Sequence, residues 1–464
     1  MERVLKRVLK RIIPTPRERK ELADILKRVL SVTDEVIRPL GLEKTIAGSF
    51  IRDTWLKDKK EIDLFILFPV SYSRTDLEKT GLRVGKEIVK KLGGVCEIAY
   101  AEHPYVRGKI GGFSVDIVPC YKVRTASNIK SAVDRTPFHN RYIEKHLKPE
   151  MANEVRLLKQ FCKAIDVYGS DIRTLGFSGY LCELLIINYE TFKNLVLSAR
   201  KWKFGEFIDL EGHCKIKNPQ AFFKGQPLIV IDPVDPKRNV AAALSEENFM
   251  KFVKACERFV KNPSERFFER DTRAMKVSEL RKHLKERGTR IFAIRFRRPN
   301  VVDDILWSQM RKTSLRIANL LKEHEFEIFE RTVWGDEEDA YLVFEMRTWF
   351  LPKLRKLIGP PVHSRKHSKQ FTEKYKTSKV YVEGKRWVAE VKRKYRKAED
   401  LLRDFLRRNK RHLLNDGVRS YVAESISKGF DILTGREFER VVEKNRDFAV
   451  FLRKRFEGEW FKNI

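Results

Sequence analysis

The sequence predicts an α+β protein. A small mixed sheet with helices comes first, then a helical middle, then an α/β part with a basic tail. Three observations carry this. The run Leu64-Phe65-Ile66-Leu67-Phe68 is wholly apolar, as in a central strand buried on both faces. From about residue 150 the apolar positions take helical spacing, as in Val155, Leu158, Phe161, Cys162 and Ile165. Beyond Thr289 a strand, a helix and two strands follow in turn, and Lys and Arg crowd residues 385–413.

Residues up to about 45 read as helical, with Leu22, Ile25, Leu26 and Val29 on one face. A strand then enters the Gly48-Ser49 turn, and Phe50 to Trp55 reads as a helix turn. Pro69 ends the apolar strand. A helix is predicted over 76–92, then strands over Val95 to Tyr100 and Tyr105 to Asp116, with Gly111-Gly112 as a hairpin turn. Tyr180 to Tyr189 predicts a helix buried all round, capped by Ser178. Leu228 opens a short strand, and Asp232-Pro233-Val234-Asp235-Pro236 reads as a rigid loop. The polar stretch 260–275, with Asn262-Pro263, reads as a linker or domain boundary. Thr289–Arg297, Val302–Lys322, Glu325–Val333 and Asp339–Met346 spell a β-α-β-β order, ferredoxin- or RRM-like but without RNP aromatics. Gly359-Pro360-Pro361 breaks the chain, and Glu383-Gly384 turns a hairpin.

A chain of 464 residues exceeds one ordinary core, so two to four domains are expected. No run of about 18 apolar residues is present and the N-terminus lacks a signal-type core, which predicts a cytoplasmic protein without membrane spans. Six scattered cysteines form no Cys-x-x-Cys pair, so reduced thiols are expected and zinc is not. The net charge of +33 favours a polyanionic partner, nucleic acid first and an acidic membrane second. A generally basic, heat-adapted surface is the blander reading. The basic stretch 385–413 is either a solvated face or, through Tyr381, Trp387 and Tyr395, an RNA contact.

The chemistry-bearing pattern is Glu61-Ile62-Asp63 with Asp116 further on. Residues two apart on a strand share a face, so Glu61 and Asp63 point the same way and Asp116 joins them from a neighbouring strand. Three converging carboxylates repel unless a hard cation lies between them, and Mg²⁺ suits oxygen ligands. Upstream, Gly48 lets backbone approach a phosphate and Ser49 adds a hydroxyl; Arg52 can pair with phosphate oxygens. His103 and His139 are ambiguous by themselves, and Lys159 and Tyr168 read as ordinary surface or boundary residues. Arg238 follows the Pro-rigidified loop.

Gly48-Ser49, Arg52, Thr54-Trp55-Leu56 and Glu61-Ile62-Asp63-Leu64-Phe65 resemble the head motif of the polymerase β-like nucleotidyltransferases. Further blocks, among them Val115-Asp116-Ile117-Val118-Pro119, Asp134-Arg135-Thr136-Pro137-Phe138-His139, Gly176-Phe177-Ser178-Gly179-Tyr180 and Asp235-Pro236-Lys237-Arg238-Asn239, resemble the archaeal-type (class I) CCA-adding enzymes, which are tRNA nucleotidyltransferases. The resemblance is strong to about residue 305 and weaker beyond.

The resemblance implies a catalytic head over 1–143, a helical neck with the base pocket over 144–265, and a tRNA-binding body and tail over 266–464. It implies that Glu61, Asp63 and Asp116 are catalytic and hold two Mg²⁺ ions. Ser49, Arg52, His139, Lys159 and Tyr168 would hold the triphosphate and sugar, and Arg238 would read the base. Glu102, His103, Arg311 and Lys312 would lie on the RNA side. The implied activity is template-independent addition of CCA to the 3′ end of tRNA from CTP and ATP, including repair of damaged ends. The tRNA acceptor stem and elbow are the expected partners, with room for a homodimer. A poly(A)- or oligoadenylate-type polymerase and a non-catalytic RNA-binding protein are the alternatives. In one departure, Asp58 stands where the family has glycine.

Overall fold

The structure, a computed structural model, describes residues 1–57, 60–100 and 102–458. Asp58 lies outside them. Two compact units emerge, residues 1–271 and 272–458. No helix among the described residues is long and apolar enough to cross a membrane. All six cysteines are free.

The first unit opens on α1 (Glu2–Ile12) and α2 (Pro16–Ile37). Thr15 and Glu18 cap α2 reciprocally, each side chain accepting from the other's backbone N–H. Strands β1 (Glu43–Ala47), β2 (Glu61–Phe68), β3 (Val95–Tyr100), β4 (Pro104–Ile110) and β5 (Phe113–Tyr121) follow, with α3 (Arg74–Lys91) between β2 and β3. They form one sheet in the order β1-β2-β5-β4-β3, in which only β2 and β5 run parallel. Strand alternation sorts β2. Ile62, Leu64, Ile66 and Phe68 enter one core with Leu77, Val84 and Ile88 of α3. Glu61 and Asp63 therefore lie on the opposite face, which they share with Phe65. Gly81 and Gly85 let α3 come close to the sheet. A Cβ at Gly85 would lie 2.7 Å from that of Val106, and one at Gly81 would lie 2.6 Å from Pro119.

The expected helix turn over Phe50 to Trp55 is not helical. It is a tight turn that puts Asp53 at φ 50° and returns Thr54 N to Ser49 O at 2.8 Å. Helices α4 (Thr136–His146), α5 (Met151–Ala164), α6 (Gly179–Tyr189), α7 (Phe192–Ala199), α8 (Pro219–Phe222) and α9 (Glu246–Lys261) complete the unit with β6 (Glu206–Ile208), β7 (Leu228–Asp232) and β8 (Asp235–Asn239). Ser178 caps α6 as the sequence predicts. The helical core centres on Phe161, whose ring meets those of Phe192, Phe252, Phe259, Phe267 and Phe268. The predicted rigid loop at 232–236 is instead a hairpin, β7 pairing antiparallel with β8. Its second strand tolerates Pro236 because it is an edge of the β6-β7-β8 sheet.

The second unit contains α10 (Val277–Arg287), β9 (Arg290–Arg297), α11 (Asp303–Glu323), β10 (Ile328–Gly335) and β11 (Asp339–Met346), the predicted β-α-β-β run. Next come β12 (Leu354–Pro361), α12 (Arg365–Lys374), β13 (Lys379–Glu383), β14 (Arg386–Lys392), α13 (Ala398–Leu406), α14 (Lys410–Asn415) and α15 (Ser420–Lys428). The unit closes with β15 (Phe430–Thr434), α16 (Arg436–Lys444) and α17 (Arg446–Glu457). The sheet order β10-β11-β9-β15 is antiparallel throughout and puts the first strand between the third and the last, the ferredoxin-like arrangement. The sequence reading lacked its fourth strand. Gly359-Pro360-Pro361 does not break the chain: it ends β12, with a register shift between Ile358 and Pro361.

Candidate active site

Parallel pairing of β2 with β5 puts Asp63 directly beside Asp116 and Glu61 beside Ser114. The three acids thus share one face of the sheet. Gly48, at φ 92°, follows β1 where Ala47 pairs with Asp63. A Cβ there would meet Asp63 Oδ2 at 2.3 Å, so only glycine leaves that carboxylate in place. Arg107 stands opposite Asp116 on β4 and donates to it twice, Nε to Oδ1 at 2.7 Å and NH2 to Oδ2 at 2.8 Å. Arg107 also donates to the Tyr105 hydroxyl at 2.9 Å. Among the described residues no group of three His, Cys, Asp or Glu side chains is set to hold a metal ion. The donor set on this face nonetheless fits a hard cation. It is carboxylate oxygen only, and the guanidinium on Asp116 marks where positive charge is wanted.

Beside the acids lies a buried ionic cluster that the sequence reading missed at its centre. Glu183 on α6 has no exposed surface. Its carboxylate takes Arg52 NH2 at 2.8 Å, the Thr54 hydroxyl at 2.6 Å and Lys159 Nζ at 3.2 Å. Lys159, read from sequence as a surface or boundary residue, is 1% exposed and donates to Thr54 O and Oγ1 as well. Burial alone would raise the Glu183 carboxyl, but Lys159, Arg52 and the Thr54 hydroxyl hold it below the ordinary range. Burial pushes Lys159 down, with Glu183 opposing. Arg52 donates also to Asn140 Oδ1. Tyr168 is half-buried, with its hydroxyl at the start of α6. A Cβ at Gly179 would lie 3.3 Å from that hydroxyl and 3.8 Å from Lys159 Nζ. Burial raises the Tyr168 phenol, keeping it a neutral donor. Ser49 is half-buried in the turn before Arg52. Glu183 did leave a signal: it is the one charge in the apolar run of α6.

A second buried acid, Asp232, gathers the remaining candidates. Its Oδ2 takes Arg238 NH1 at 2.7 Å and His139 Nε2 at 2.9 Å, and its Oδ1 takes the Tyr180 hydroxyl at 3.3 Å. The His139 ring stacks on Tyr180 at 4.1 Å. Burial pushes the Asp232 carboxyl up, but His139, Val234 N–H and Arg238 together bring it below the ordinary range.

The RNA-side candidates are divided between the units, Glu102 and His103 in the first and Arg311 and Lys312 in the second. Glu102 bonds within its own unit, its carboxylate to Ala132 N and its carbonyl to Arg74 at 2.8 Å. His103 is 3% exposed, so its ring is not offered to a large polyanion here. Lys312 is exposed in the second unit, where it lines a groove of about 560 Å³ with Gln309, Gly417, Arg419 and Ser420. Arg311 beside it is half-buried.

Fold and acid face together define a nucleotidyltransferase, and residues 22–139 match the nucleotidyltransferase domain model. Residues 153–269 match the second domain of tRNA nucleotidyltransferases, and residues 287–435 the C-terminal domain of CCA-adding enzymes. The chain is 39% identical over 455 residues to a CCA-adding enzyme of Methanosarcina barkeri, covering 96% of each. It is 38% identical over 439 residues to one of Archaeoglobus fulgidus, covering 94% of this chain and 95% of the relative. For one of Methanocaldococcus jannaschii the identity is 39% over 430 residues, covering 91% and 94%. This chain belongs to the CCA-adding enzyme family.

Proposed function

We propose that this chain adds C, C and A in turn to the 3′ end of tRNA, using CTP and ATP without a template. The carrying observation is the in-register pair Asp63 and Asp116 with Glu61 on one sheet face, in a chain of this family. In this reading the 3′-hydroxyl oxygen bonds to the α-phosphorus, the bond to the β-phosphate oxygen breaks, and pyrophosphate leaves. Glu61, Asp63 and Asp116 would hold divalent metal, two Mg²⁺ ions, which supply Lewis-acid stabilisation of the transferring phosphoryl group. Asp116 is the carboxylate nearest the role of accepting the hydroxyl proton. Ser49, Arg52, His139, Lys159 and Tyr168 hold the triphosphate and sugar; Gly48 keeps the turn close to them. Positioning and fixed positive charge suffice for such in-line displacement. Arg238 reads the base.

In the same reading the head is residues 1–143, the neck 144–265, and the body and tail 266–464. The last would hold the tRNA acceptor stem and elbow, with Glu102, Arg311 and Lys312 adding RNA contacts; His103, being buried, would support that side from within. The enzyme is cytoplasmic and can pair as a homodimer.

The test is incorporation on tRNA that ends at the discriminator base, with each nucleotide alone and with CTP plus ATP. CTP alone should enter twice and stop, and ATP should follow only then. Extension by ATP alone would favour a poly(A)-type polymerase. Asp116→Ala should abolish incorporation while tRNA binding survives. Intact chemistry in that variant would overturn the site assignment.

A further inference from the structure

We propose that Asp232 is a positioning residue for base selection: it fixes Arg238 and His139 on one carboxylate oxygen and so sets which nucleotides are accepted. The inference rests on the nucleotide roles given to Arg238 and His139 under the proposed function.

Asp232 ends β7 with no exposed surface. A carboxylate offers about four acceptor sites. Here four donors arrive: Arg238 at 2.7 Å, His139 at 2.9 Å, Val234 N–H at 3.1 Å and the Tyr180 hydroxyl at 3.3 Å. The three side chains come from β8, α4 and α6, elements far apart in the chain. Asp232 is the group they have in common. Tyr180 adds a second restraint by stacking on His139 with an interplanar angle of 25°.

Arg238 is where this matters. Its side chain is 36% exposed, and among the described residues Asp232 is the acid it pairs with. A guanidinium is planar, so anchoring one terminal nitrogen fixes where the other donors point. Those donors can only donate. Cytosine N3 and adenine N1 are acceptors, whereas uracil N3 and guanine N1 carry hydrogen. A fixed donor edge therefore accepts C and A and leaves U and G with donor facing donor. A mobile edge turns away and loses that rejection, since discrimination of this kind depends on polar groups held in place.

The experiment compares kcat/KM for CTP and UTP on tRNA ending at the discriminator base, in the full chain and in Asp232→Asn. The ratio of CTP to UTP should fall about tenfold or more, as one fixed charge-assisted hydrogen bond is lost. In an Arg238→Ala background Asp232→Asn should change that ratio no further, because it acts through the arginine. Tyr180→Phe keeps the ring stack and removes one bond to Asp232. It should lower the ratio about two- to threefold, and it serves if Asp232→Asn does not fold. Equal losses with CTP and UTP, an unchanged ratio in folded variants, or the same effect without Arg238 would each overturn the proposal. A wild-type chain that incorporates no CTP overturns the nucleotidyl-transfer reading itself, which separates the two failures.

Discussion

Glu183 shows how much a single buried acid can decide. It holds two cations, Arg52 and Lys159, where no solvent reaches it. Removing one partner of such a set leaves charge uncompensated and costs about 3–5 kcal/mol. Glu183→Gln should therefore lower the unfolding free energy at neutral pH by that order, read as a lower urea midpoint; an unchanged midpoint would refute the role. The pH dependence has a definite sign. The folded carboxyl lies below the ordinary 4.5, because Lys159 and Arg52 outweigh burial. Between the two values the unfolded chain binds the extra proton. The contribution is complete above pH 4.5 and is lost as pH falls through the folded value. Asp232 adds the same sign from its ordinary 3.8. Acid unfolding followed by circular dichroism should thus be shallower in Glu183→Gln than in the wild type. The three acids on the sheet were legible because a strand's period of two fixes their face. Lys159 was not, because its burial depends on Glu183, which sits on the next helix rather than its own.

Among elements, β2 was legible because both its faces are buried and its apolar run is continuous. β15 was not: Phe430 to Thr434 is short, and its strand character comes from pairing with β9, over a hundred residues earlier. The 232–236 loop was misread for a local reason. Two prolines suggest a loop, but an edge strand needs fewer N–H donors. Helix α3 was predicted from its apolar periodicity, yet its distance from the sheet is set by what it lacks. Alanine at Gly85 would gain roughly 1 kcal/mol of helix propensity. Against that, its Cβ would sit 2.7 Å from the Cβ of Val106, which is fully buried. Overpacking costs about 1–3 kcal/mol and should win. Gly85→Ala is expected to lower the thermal midpoint, read by calorimetry; a rise would mean that α3 shifts freely on the sheet.

At the scale of the whole molecule, 97 basic residues face 64 acids. Surface ion pairs such as Arg281 with Glu439 and Arg408 with Asp416 each spend an acid on a basic residue. The acids are outnumbered, so a net charge of +33 is not neutralised within the chain. Such a surplus destabilises a compact fold through self-repulsion, and a polyanion relieves it. If tRNA is that polyanion, binding releases condensed counterions, and log K falls linearly with log salt by about 0.9 per phosphate contacted on a duplex. Six to ten contacts would weaken tRNA binding roughly 10³- to 10⁵-fold between 50 and 200 mM monovalent salt. CTP carries few charges, so its binding should weaken far less over the same range. Filter binding of tRNA and equilibrium dialysis of CTP across that range measure both slopes. Parallel slopes would argue that the surplus charge does not meet the RNA. A steep tRNA slope that is indifferent to tRNA sequence would locate affinity in the phosphate backbone and leave nucleotide choice to Arg238 and the groups that hold it.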